Sequence, residues 1–176
     1  MRTFFVGVGL VASFAAGLAT LAAADRTSVE LKSAHFTLVS DAGDKPGRAI
    51  LWELEQVRAA VATFWPWART DLGRPILVFV TRDEGGMRSL APRYWEEKNS
   101  VRPASVFVGA PDRYFVALRA DVKADDKGGV INPYRSAYWS YLVLALRASG
   151  YRQLPLWFSL GLTELMSNTI VRENHL

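Results

Sequence analysis

The stretch AYWSYLVLALRASGYRQLPLWFSLGLTELMSNT, Ala137 to Thr169, decides how this chain is read. It contains two apolar helical runs, Pro133 to Ala148 and Pro155 to about Ile170, joined by a short turn. Proline suits the opening of the second run, because the first turn of a helix leaves its N–H groups unpaired anyway. Tyr138 to Leu146 is apolar nearly all round, the pattern of a central buried helix rather than a surface one. The second run carries a single carboxylate, Glu164. The pair is expected to form a buried helical hairpin at the C-terminus.

Working outward, Val29 to Val39 alternates imperfectly and predicts one or two short strands. Asp41 to Gly47 is rich in turn formers. Ile50, Leu51, Leu54, Val57, Val61 and Phe64 then recur at helical spacing, with Glu53, Glu55, Gln56 and Arg58 assigned to the other face. That is an amphipathic helix over Ala49 to Trp65, ending near Pro66. Ile76 to Val80 reads as a buried strand. Thr81 or Asp83 can cap a short helix after it, against the weakening effect of Gly85-Gly86. Arg93 to Pro103 is a polar surface loop or lid. Val106 to Val108 and Tyr114 to Leu118 flank Gly109-Ala110-Pro111-Asp112 and predict a hairpin. Asp121 to Gly129 is a charged loop. This order predicts an α+β (or α/β) layer: a twisted, mostly antiparallel sheet with helices against one face.

With 176 residues and half of them hydrophobic, the chain can bury one core. A net charge of +4, scattered along the sequence, is too small to argue for nucleic acid. The absence of cysteine excludes disulfides, thiolate catalysis and thiolate metal sites. At the N-terminus, Arg2 precedes an uncharged, mostly apolar run from Phe4 to Leu21, and Ala22-Ala23-Ala24 follows. Residues 1–24 therefore read as a secretory signal cleaved after Ala24, with an uncleaved anchor as the competing reading. The expected location is the bacterial periplasm or the medium, with no stable membrane insertion after cleavage, and residues 25–176 form one domain.

The two helical runs resemble the zinc-binding core of the gluzincin (peptidase MA-like) metallopeptidases. That family carries H-E-x-x-H on a first helix and a ligand glutamate in an N-E-G-x-A-E phrase on a second. LPLWFSLGLTEL is similar to the second phrase, with Tyr141, Leu154, Pro155, Trp157, Gly161 and Glu164 on matching positions. The resemblance implies a zincin-like fold, in which a twisted sheet lies over the metal helix and an edge strand binds extended peptides. It also places Trp139, Ser140 and Val143 where the family has His, Glu and His, and Leu160 where it has the ligand Glu. Trp139 and Val143 keep the one-turn spacing that lets two histidines reach one ion, yet neither ligates zinc. Ser140 lacks the basicity of the glutamate that deprotonates zinc-bound water. Glu164 falls on the family's outer carboxylate, so the Trp139 indole N–H is expected to donate to it.

The expectation is thus a pseudo-peptidase with vestigial positions Trp139, Ser140, Val143, Leu160 and Glu164 and no metal, cofactor or catalytic residue. Its partner is an extended peptide or envelope protein, with Val106 to Val108 as the edge that would bind it. Two alternatives stand beside it: an active hydrolase using other residues, and a remnant truncated at its C-terminus. Other chemistry finds little support. His35 and His175 are the only histidines, no G-x-S-x-G elbow exists, and Asp121, Asp125, Asp126 and Gly128 fit no EF-hand spacing. Trp52, Trp65, Trp67, Trp139 and Trp157 are expected in the core, while Trp95, in its polar loop, is the one candidate to line a groove.

Overall fold

The computed structural model describes residues 28–96, 102–123, 132–150 and 154–171. The signal-like segment 1–24, His175, and Asp125, Asp126 and Gly128 lie outside the described residues. In chain order the elements are β1 (Val29–Lys32), β2 (Phe36–Ser40), α1 (Asp44–Phe64), β3 (Ile76–Thr81), α2 (Glu84–Leu90), a 3-10 turn (Pro92–Trp95), β4 (Ser105–Gly109), β5 (Tyr114–Arg119), α3 (Arg135–Ala148) and α4 (Leu156–Ser167). The fold is α+β.

The five strands form one sheet in the order β1-β2-β3-β5-β4. It is mixed rather than mostly antiparallel. Adjacent hairpins pair β1 with β2 and β4 with β5 in antiparallel fashion, but β2–β3 and β3–β5 are parallel. The reason is the crossover. α1 returns the chain to the end of the sheet where β2 began, so β3 must run alongside β2 in the same direction. The chain then passes through α2 and β4 before β5 takes the place beside β3, which leaves β4 at the edge. The edge position expected for Val106 to Val108 is the one found.

One sheet face carries Leu31, Phe36, Leu38, Ile76, Val78, Val80, Val116 and Leu118, all buried, and meets α1 and α3. From α1 come Ile50, Leu51, Leu54, Val57 and Val61; from α3 come Ala137, Tyr138, Tyr141 and Leu142. Complete burial of a side chain such as Leu38 or Val78 contributes roughly 1.5–3 kcal/mol. α1 begins five residues earlier than its apolar spacing predicts, because Pro46 is compatible with a first helical turn. Gly47 then lies so close to the sheet that a Cβ there would come within 2.8 Å of Leu31 and 3.1 Å of Ser40. The short helix after β3 does form, capped by the Asp83 carboxylate on the Gly86 N–H at 2.9 Å.

The tryptophans depart from expectation. Trp65 is buried, but Trp52, Trp67, Trp139 and Trp157 are all exposed. Trp95 is half-buried, and its indole donates to Glu84 at 3.0 Å. Glu84 also accepts from Arg102 at 2.9 Å, and these donors and cations hold its carboxyl below the usual range. That loop residue is thus tied down as a strut between α2 and the 3-10 turn.

Candidate functional site

α3 and α4 pack on each other, and their ends are tied together by one side chain. Asn132 is buried ahead of α3; its Oδ1 accepts the Tyr134 N–H at 2.7 Å and its amide donates to the Thr169 carbonyl at 2.5 Å. Buried amides must be paired, and this one spends both sides of its group on fixing the start of α3 against the end of α4. At the other end, Gly150 takes a left-handed φ of 73° where α3 stops, and Pro155 opens α4 by accepting the Phe158 and Ser159 N–H groups.

Between the two helices runs a groove of about 660 Å³. Trp139, Val143, Leu146 and Arg147 line it from α3, and Ser159, Leu160 and Thr163 line it from α4. Three of the vestigial positions, Trp139, Val143 and Leu160, therefore face one cleft, as their spacing on two facing helices requires. Ser140 is not brought to it. That side chain is half-buried, and its Oγ donates to the Ser136 carbonyl one turn back, at 2.9 Å.

Glu164 is also elsewhere, and the expected Trp139–Glu164 bond is not formed. Its carboxylate accepts from Arg135 at 2.6 and 2.5 Å on the outer side of the hairpin, half exposed to solvent. The physical reason is competition: Arg135 stands one turn before Trp139 on α3, and a charged guanidinium outbids a neutral indole for a carboxylate. Nor is the hairpin as buried as expected. α3 is buried on its core side, whereas α4 buries only Thr163, Met166 and Ser167.

The groove is chemically quiet. Ser159 Oγ donates to Leu156 O at 3.0 Å and Thr163 Oγ1 to Ser159 O at 2.7 Å, so both hydroxyl hydrogens are used within the helix. Arg147 is the one ionisable side chain of the lining among the described residues. Such a surface can hold apolar groups beside a negative charge, and none of its described lining residues is a general acid or base near neutral pH. Among the described residues, no three of His, Cys, Asp and Glu lie together in a way that could hold a metal ion. His35 does not line the groove; its Nδ1 meets Glu55 at 2.7 Å, and Asp121 is held by Arg119.

One chemically distinctive group escaped the sequence reading. Glu53 was assigned to the polar face of α1, yet it is half-buried and accepts from Tyr138 Oη at 2.7 Å. Burial raises its carboxyl pKa, with the Tyr138 bond opposing. Burial and the Glu53 charge push the Tyr138 phenol well above its ordinary value. The signal was available: position 53 stands three residues after Ile50 and four before Val57, both core residues, so it faces the same way. Comparison of the chain with protein-family models, curated proteins and solved structures returned no match.

Proposed function

We propose that this chain is an exported, zincin-like domain in which an apolar groove stands where gluzincins hold zinc, and that it binds peptide segments without cleaving them. The observation that carries this reading is the convergence of Trp139, Val143 and Leu160 on one groove. The sheet adds support: β4 is an edge strand whose Ser105 is bonded to Ser136 of α3, the relation in which zincins place their peptide-binding edge beside the metal helix. A segment offering bulky apolar side chains and one carboxylate suits a groove with Arg147 in its wall.

Selection of displayed peptides on the purified protein tests the binding. Enriched sequences should combine aromatic or branched residues with an acidic one, and Val143→Asp should abolish their capture. Retention by that variant would place binding elsewhere. The ancestry has its own test. Trp139→His, Val143→His and Leu160→Glu together should create zinc affinity, seen as a rise in melting temperature equivalent to about 2.7 kcal/mol at a hundredfold excess over Kd. A folded triple variant indifferent to zinc, or one zinc per chain in the unaltered protein, would reject the assignment.

A further inference from the structure

α4 is built inside out. Its buried residues include Thr163 and Ser167, while Leu156, Trp157, Leu160 and Leu165 are 73%, 75%, 46% and 70% exposed, with Phe158 at 36%. These five side chains present on the order of 500 Å² of apolar surface on one helix, near the upper end of what a monomer leaves uncovered. Trp157, Phe158 and Leu165 do not line the groove between α3 and α4, so this face is separate from it, sharing Leu156 and Leu160 as a border.

We infer that α4 is a homodimer interface, in which two copies of this chain cross their α4 helices antiparallel about Gly161. Three features on the helix select a second copy as the occupant. First, Trp157, Gly161 and Leu165 lie four residues apart on one ridge, and a Cβ built at Gly161 would meet nothing within 4 Å. The ridge therefore reads knob, gap, knob. Such a ridge is complementary to itself: with a two-fold axis at Gly161, Trp157 of one chain faces Leu165 of the other. Two i±4 ridges interlock at roughly −50°, and a glycine at the crossing lets the backbones approach. Second, the exposed apolar area of about 500 Å² is more than half of the roughly 800 Å² that each partner of a stable complex buries. Third, the only charge on α4 is Glu164, and Arg135 of the same chain neutralises it, so like charges do not oppose each other across the axis. A lipid surface is a poorer match, because interfacial helices flank their apolar face with Lys and Arg and α4 contains neither.

The inference stands whether or not the groove binds peptide. Sedimentation equilibrium of the protein without residues 1–24, as in the exported form, tests it. This form should sediment at twice the mass of one chain at micromolar concentration. Gly161→Arg should sediment as a monomer with its fold intact, since the site is open and arginine favours helix over glycine. Trp157→Glu and Leu165→Lys should each give monomers, and the two together in one chain should restore the dimer in low salt by pairing opposite charges across the axis. A wild-type monomer at 100 times that concentration would overturn the inference. So would a dimer that survives Gly161→Arg, a double variant that stays monomeric, or a monomer that instead pellets with vesicles of phosphatidylcholine and phosphatidylglycerol.

Discussion

At the scale of single residues, Glu53 and Tyr138 form the pair whose chemistry is most constrained. Because burial raises the Glu53 pKa above 4.5, the folded chain holds that proton to higher pH than the unfolded chain does. Its contribution to stability is therefore full below the unfolded value and is lost as pH rises through the raised folded value. Glu53→Gln keeps an acceptor for Tyr138 and cannot ionise. The variant should melt higher than wild type at pH 7, and the gap should close toward pH 4. A lower melting temperature at pH 7 would mean that the Tyr138 bond outweighs burial. Tyr138→Phe removes the donor and leaves the carboxylate unpaired, so it should cost about 1.5–3 kcal/mol at pH 7 in a denaturant titration.

At the scale of elements, two helical glycines make opposite demands. Gly47 lets α1 approach β1 and β2, where an added methyl would strike Leu31, Ser40 and Leu38. Gly47→Ala should destabilise by about 1–3 kcal/mol despite the better helix former. Gly161→Ala meets empty space and should gain about 0.5–1 kcal/mol, measured at chain concentrations too low for association. The contrast also shows what a sequence discloses. The strands and α-helices were legible from spacing and turn chemistry, because Ile50 to Val61, Ile76 to Val80 and the Gly109–Asp112 turn are local signals; the 3-10 turn at Pro92–Trp95 was not, in a stretch that reads as a polar loop. Trp139, Val143 and Leu160 were named as a set by the resemblance to the gluzincin motifs, and their places on two packed helices bring them to one groove. The parallel centre of the sheet was not read, although β2, α1 and β3 in succession are the pattern of a helical crossover between parallel strands; the two flanking hairpins drew the reading toward an antiparallel sheet. The outward turn of α4 was not either: an apolar helix carries the same letters whether it meets its own core or another surface. Glu164 was misplaced because Arg135, its partner, lies 29 residues away.

At the scale of the whole molecule, the strand order dictates how the protein must assemble. The two hairpins, β1–β2 and β4–β5, each close over a few residues and form the two rims of the sheet. β3 alone joins them, pairing Ile76 with Phe36 on one side and with Tyr114 on the other. Neither pairing can form until a loop of nearly forty residues has closed, and such non-local contacts place refolding in the millisecond-to-second range rather than microseconds. Insertion of β3 should be the rate-limiting event. Val78→Ala, at the fully buried middle of that strand, should therefore slow refolding more than it speeds unfolding in stopped-flow traces; the reverse partition would show that the strand docks after the barrier. Until the keystone is seated, each hairpin displays an unpaired inner edge. Yield on refolding should accordingly fall with chain concentration, as edge meets edge between molecules before the middle strand arrives.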